Sequence, residues 1–295
     1  MKVKRGLQLL LMGFALTISG NAQEQPIEKP VTATKTKEDF RNKYRFEGYE
    51  PTTFSTEKQD YGNWKNLVIT HPESEPYLDY IEQSCNKYQD IYPVDPILIL
   101  NLLEQESHFD PNAVSYMGAA GIAQFMPSTA KYEYGLKIYE PKYYNEWLKA
   151  FRMKRKYKNL AQSSLMFDGP NEEDMKIDDW VNYVQTYKHG QYVELYNKYS
   201  DQERELRDLY KNDLLEHKDE DERFNPEIEI DVCVYYIAKS MKTRDGDIRE
   251  ALSSYNAGMH NVKIYDGIPP YKETVLYQNR IYNGYKSDKK FLERK

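Results

Sequence analysis

The sequence predicts a mainly α fold, and three observations carry the prediction. Two Asx-Pro pairs, Asp95-Pro96 and Asn225-Pro226, each stand directly before an apolar run. In both, the Asx side chain is placed to cap a helix and the proline to occupy its first position. Apolar residues then recur at three- and four-residue spacing. Strand signals are few, and no internal repeat is present.

Taken in order, residues 76–90 form a first amphipathic candidate, with Leu78, Ile81 and Cys85 on one stripe. Asp95-Pro96 opens the second helix, and "ILILNLLEQES" is apolar nearly all round, the mark of a helix buried within a fold. A strand could use "ILIL", but the capped start and the length favour helix. Asn225-Pro226 opens "EIEIDVCVYYIAKSMK", with Ile230, Val234, Ile237 and Met241 on one face. "GDIREALSSYNAG" is a further helix closing at Gly258, and "YKETVLYQNRIYNGY" is the last.

Between these groups, residues 137–223 hold ten tyrosines, Trp147, Trp180 and the charge-dense "DQERELRDLYKNDLLEHKDEDE". Leu206, Leu209, Tyr210 and Leu214 keep a helical stripe there, so the stretch reads as a folded helical insertion and not as a disordered acidic run.

The 295 residues, 40% hydrophobic and 30% charged, suffice for a real core. Lys2, Lys4 and Arg5, an apolar run from Gly6 to Ser19, and Gly20-Asn21-Ala22 are the parts of a secretory signal peptide over residues 1–22. The run is shorter than the about 20 residues of a membrane span. No cysteine directly follows it, so no stable membrane anchor is expected. Residues 23–60 read as a flexible polar N-terminal segment. The expected location is therefore the periplasm or cell envelope.

Removing the three basic residues of the leader leaves 38 Lys and Arg against 47 Asp and Glu, a charge of −9. That balance excludes a nucleic-acid partner, whose phosphates are gripped by cations. Cys85 and Cys233 could pair in an exported protein or remain as buried thiols. His71, His108, His189, His217 and His260 show no H-x-x-x-H spacing, so neither a metal nor another cofactor is expected.

The chemistry concentrates in "LLEQESHFDPNAVSYMGAAGIAQFMPSTA". Glu106 shares the stripe of Ile99, Leu102 and Leu103. A carboxyl on an apolar face loses solvation, which raises its pKa and suits it to general-acid work. Glu104 points to the other side and reads as a solvated surface charge, while Asp110 before Pro111 reads as a turn residue. Gly118 and Gly121 permit positive φ and close backbone approach, and Ser115 and Gln124 can hydrogen-bond sugar hydroxyls.

The run from Glu106-Ser107 through Phe109, Pro111, Gly118-Ala119, Gly121, Gln124 and Met126-Pro127 to Thr129-Ala130 resembles the soluble lytic transglycosylases, relatives of goose-type lysozyme. "SSYNAG" (253–258) resembles the family's Tyr-Asn segment, and "IPPYKETVLY" (268–277) its Pro-x-x-Glu-Thr-x-x-Tyr motif, in the right order. The resemblance covers about 94–136 and 224–285.

It implies a lysozyme-like domain in two parts, 61–136 and 224–295, with 137–223 inserted and expected beside a glycan groove. It further implies Glu106 as the single catalytic acid/base, with Ser115, Gln124, Met126, Tyr255, Asn256 and Glu273 lining or supporting the sites around the cleaved bond. Tyr255 is expected near the acid and Glu273 on the far side of the groove. Asn256 could equally end its helix, and Glu273 could charge the first turn of the last one. The implied reaction breaks the MurNAc–GlcNAc bond of peptidoglycan and leaves a 1,6-anhydro end.

Two other readings fit the motifs. A lysozyme-type hydrolase would need a base about 6.5–9.5 Å from the acid if it inverts. A non-catalytic glycan-binding module of an envelope-spanning machine would need no desolvated acid.

Overall fold

The computed structural model describes residues 62–164 and 175–294. The expected signal peptide and the whole of the N-terminal segment 23–60 lie outside the described residues, as does the side chain of Trp180. In chain order the α-helices are α1 (Leu78–Tyr88), α2 (Pro96–Ser107), α3 (Tyr144–Ser163), α4 (Met175–Glu216), α5 (Pro226–Thr243), α6 (Ile248–Ala257), α7 (Met259–Tyr265) and α8 (Lys272–Leu292). The fold is mainly α. Among the described residues, β structure is limited to isolated bridges from Ala120 to Val114 and to Phe125.

The chain divides into two compact units, one formed by residues up to Ile138 with those from Asp221 onward, the other by Tyr139–Glu220. In the first unit α2 is the axial helix. Every residue from Pro96 to Leu103 is buried, which is why its sequence is apolar on all sides. Each fully buried Leu or Ile contributes roughly 1.5–3 kcal/mol relative to exposure. α8 packs along α2, α1 packs on α5, and α6 lies against both α5 and α8.

Local chemistry sets the helix starts. Asp95 accepts from the Ile97 N–H (3.0 Å) and Asn225 from those of Glu227 and Ile228. Asp247 does the same for α6, receiving the Arg249 and Glu250 N–H groups. Gly258 closes α6 at φ 85°, with its N–H on the Ser254 carbonyl.

A buried polar cluster ties α2 to α8. Asn101 donates to the Ile97 carbonyl and to Asp288 Oδ2 (2.7 Å). Gly284 faces it, and a Cβ there would lie 2.1 Å from Asn101 Oδ1. His71 sits between Asp288 Oδ2 (3.0 Å) and Glu104 Oε2 (3.1 Å). Its bonds to Asp288 and Glu104 raise its pKa to about 9, against the opposing effect of burial. Glu104 keeps a 41% exposed side chain, on the side its spacing predicts, and is in addition ion-paired to His71, the centre of a charged cluster. Neither partner of His71 is near it in sequence, so no spacing could reveal the cluster. Cys85 and Cys233 are buried free thiols.

The second unit is a pair of helices, α3 against α4. Trp147 stacks on Tyr210 (5.1 Å) and Tyr157 on Tyr199 (5.6 Å). Glu203 is buried among Trp147 Nε1 (3.1 Å), Lys154 Nζ (3.1 Å) and Arg207 Nη1 (3.7 Å). Tyr210 and Leu214 are buried as the stripe predicts, but Leu209 is 40% exposed. Steps of four from Leu206 lead to Tyr210 and Leu214, and Leu209 falls on the edge of that face.

Candidate active site

α2 stops abruptly after Ser107. His108 and Phe109 both take left-handed backbone angles (φ 55° and 63°), and the His108 N–H returns to the Glu104 carbonyl. This reversal leaves Glu106 in the last turn, on the face that continues the buried stripe. The chain then turns at Asp110, whose Oδ1 accepts from the Asn112 N–H (2.8 Å), the turn role its position suggests.

Glu106 is 4% exposed. Its Oε1 accepts a 2.5 Å hydrogen bond from the hydroxyl of Tyr277, on α8. Burial raises the Glu106 pKa to about 8, the Tyr277 bond pulls it down, and the negative charge of Glu273 pushes it up. The balance leaves a protonated carboxyl at neutral pH, as a general acid requires. Tyr277 is itself pushed well above the ordinary phenol range, first by burial and then by the Glu106 charge, so it remains a donor.

The segment after the turn is compact. The Ser115 N–H donates to the Ala119 carbonyl (2.8 Å), and Ser115 Oγ accepts from the Ala119 N–H (2.9 Å). Gly118 and Gly121 take φ 86° and 84°. Ser107 Oγ donates to the Ile122 carbonyl (2.8 Å), linking the residue beside the acid to this segment. Tyr255 Oη donates to the Ala123 carbonyl (2.7 Å).

Each residue singled out from sequence has a definite place. Ser115 and Met126 are half-buried, on the segment following the acid. Gln124 is buried at φ 56°, with its amide nitrogen donating to the carbonyls of Ala113 (3.1 Å) and Gly121 (2.7 Å), so that nitrogen is occupied by the protein's own backbone. Asn256 Oδ1 accepts from the Thr274 hydroxyl (2.7 Å), joining α6 to the start of α8. Glu273 is exposed in the first turn of α8 and acts on Glu106 through its charge. Tyr255 is near enough for the Glu106 charge to raise its pKa, but it is Tyr277 that touches the acid.

Sequence reasoning did not single out Tyr277, although its motif was in view. It also missed Glu229 and Arg223, both fully buried behind the 118–125 segment. A Glu and an Arg beside a proline-capped start look like ordinary helix-end charges, so only the packing identifies them. Among the described residues one grouping, Asp213 and Glu216 at the end of α4 with His217 just beyond it, brings potential metal-ligand atoms within 4.8 Å of one another. The Asp213 carboxylate there already receives the Lys142 N–H (2.9 Å) and the Tyr139 hydroxyl, and nothing else at the grouping points to a metal.

Fold and site together define a helical domain in which a buried, protonated acid, Glu106, stands beside a tight small-residue segment. Residues 83–149 and 202–274 match the transglycosylase SLT domain, and the chain belongs to that family. It is also similar to proteins named membrane-bound lytic murein transglycosylase C. That of Actinobacillus pleuropneumoniae serotype 5b is 38% identical over 66 residues, 22% of this chain and 17% of that protein. That of Haemophilus influenzae strain PittEE is 35% identical over the same shares, and that of Glaesserella parasuis serovar 5 is 38% identical. The chain thus spans 17% of the length of these relatives. No solved structure matches it.

Proposed function

We propose that this protein is a peptidoglycan lytic transglycosylase with Glu106 as its single general acid/base. The observation that carries the reading is the burial of the Glu106 carboxyl at the end of α2 with a phenol hydrogen-bonded to it, surroundings that favour its neutral form near pH 7. Glu106 gives its proton to the departing glycosidic oxygen. The substrate's own acetamido group stabilises the anomeric carbon, so no second carboxylate is needed there. Glu106, now ionised and still held by Tyr277, takes the proton of the muramoyl C6 hydroxyl as that oxygen closes the 1,6-anhydro ring. No water is consumed. Ser115, Gln124, Met126, Tyr255 and Asn256 border or brace the sugar sites, and Glu273 helps keep the acid protonated. The relatives' shared name supports the substrate.

We read 137–223 as an insertion in the catalytic domain; the gap in the family match supports its central part, 150–201. The location proposed is the cell envelope after export. Among the described residues no helix is long and apolar enough to cross a membrane.

The test is a mass spectrum of muropeptides released from purified peptidoglycan, with Glu106→Gln alongside. The expected products are lighter by one water than hydrolytic ones, and the variant loses cleavage by at least about a thousandfold while retaining glycan binding. Reducing ends would instead indicate a hydrolase. Glu273, whose charge already reaches Glu106, would then be the base to replace first.

A further inference from the structure

Three successive hydrogen-bonding groups behind the acid are held from three different helices. The Ile122 carbonyl accepts from Ser107 Oγ at the end of α2, at 2.8 Å. The Ala123 N–H donates to Glu229 Oε2 on α5, at 3.0 Å. The Ala123 carbonyl accepts from Tyr255 on α6, at 2.7 Å. The next residue, Gln124, lies at φ 56°, an angle that a non-glycine residue keeps only when its surroundings impose it.

Glu229 is fully buried and occupies the space that Gly121 leaves open. A Cβ on Gly121 would lie 2.1 Å from Glu229 Oε2 and 1.8 Å from the Arg223 carbonyl. The Arg223 guanidinium, neutralised by Asp221 at 2.7 Å, donates to the carbonyls of Gly118 (3.1 Å) and Phe125 (3.4 Å). Glu229 Oε1 is buried without a partner. Space-filling alone does not account for a carboxyl here, since a leucine would fill the volume without a desolvated oxygen.

We propose that Glu229 is a positioning residue of the Glu106 site: by accepting the Ala123 N–H it fixes the 122–124 backbone. Through the Ile122–Ser107 bond it also fixes the helix end that carries the acid. Its role does not require charge. Burial holds its pKa well above the ordinary carboxylate range, and a neutral carboxyl presents the same acceptor as an amide. The effect on turnover rests on the transglycosylase reading, whereas the effect on the backbone does not.

The experiment compares Glu229→Gln, Glu229→Leu and Glu229→Asp in the full chain, by the kcat and KM of muropeptide release and by amide hydrogen exchange over residues 115–128. Gln keeps the acceptor and is expected to stay within about threefold of the parent in both readouts. Leu lacks the acceptor and is expected to lower kcat about tenfold or more at similar KM, with about tenfold faster exchange at the Ala123 amide. Asp falls short of that amide and should resemble Leu, which decides the matter if Leu does not fold. Equal exchange in all variants, or Gln as impaired as Leu, overturns the proposal. A parent protein that releases nothing defeats the transglycosylase reading alone, and the exchange data then still decide whether Glu229 holds the backbone.

Discussion

Glu106 and Glu203 are both buried carboxyls, and their surroundings differ in kind. Glu203, in the second unit, has a lysine, an arginine and the Trp147 N–H around it. Glu106, in the first unit, has a phenol hydroxyl at its oxygen and another acid as the charge that acts on it. Cations compensate the first carboxylate, which then serves to join α3 to α4. The second is left with its desolvation, so it keeps its proton. Burial by itself does not make a general acid; the charge of the neighbours decides.

That contrast can be broken from either side. The largest effect is expected at Glu203. Glu203→Ala removes the buried carboxylate that Lys154, Arg207 and the Trp147 N–H share, and should cost about 3–5 kcal/mol in denaturant unfolding. A loss below about 1 kcal/mol would mean that the cluster is not holding the helices together.

Glu106→Gln should act in the opposite sense on stability. The folded protein holds a proton on Glu106 up to about pH 8, whereas the unfolded chain releases it near 4.5, so this group's contribution to stability falls as pH rises between those values. Replacing it should stabilise the fold by about 3 kcal/mol at pH 7 but by less than about 1 kcal/mol at pH 5. Urea titrations at both pH values check this, and a gain independent of pH would mean that Glu106 is not protonated in the fold.

His71 supplies the reverse case, a base whose folded pKa is raised from 6.5 to about 9. Its stabilisation is fully present below pH 6.5 and is lost as pH rises through about 9. Stability measured at pH 6.5 and pH 10 should differ by about 2 kcal/mol in the parent and by much less in His71→Gln. A parent and variant with the same pH slope would exclude the His71–Asp288 pair as its source.

The smallest effect is expected for Tyr277→Phe, which removes the one bond that lowers the Glu106 pKa. The alkaline limb of the pH–rate profile should move upward, with kcat reduced about tenfold, or about 1.4 kcal/mol. A limb that moves downward would reverse the role given to that bond.

Much of the scaffold was legible because its signals are local. Asp95 and Asn225 cap the helices they precede, since a cap and its recipients lie within three residues. Glu106 could be picked out because helical spacing places it on a buried stripe. The angular position and exposure of Glu104 follow from its spacing, whereas its ion pair does not, because His71 comes from a distant segment. Leu209 was assigned to a buried face that the stripe reaches only at its edge.

The sequence alone settled where the helices begin, that α2 must be buried, and that one acid lies on its apolar face. These follow from spacing and from side-chain chemistry within a few residues. Only the tertiary structure decided what that acid is. Tyr277 reaches Glu106 across 171 residues of chain, and Asp288 reaches His71 across 217. Glu229 takes the Ala123 N–H across 106. A pKa depends on which groups exclude water and which charges remain nearby, and those groups come from α5, α6 and α8, brought together only when the core forms.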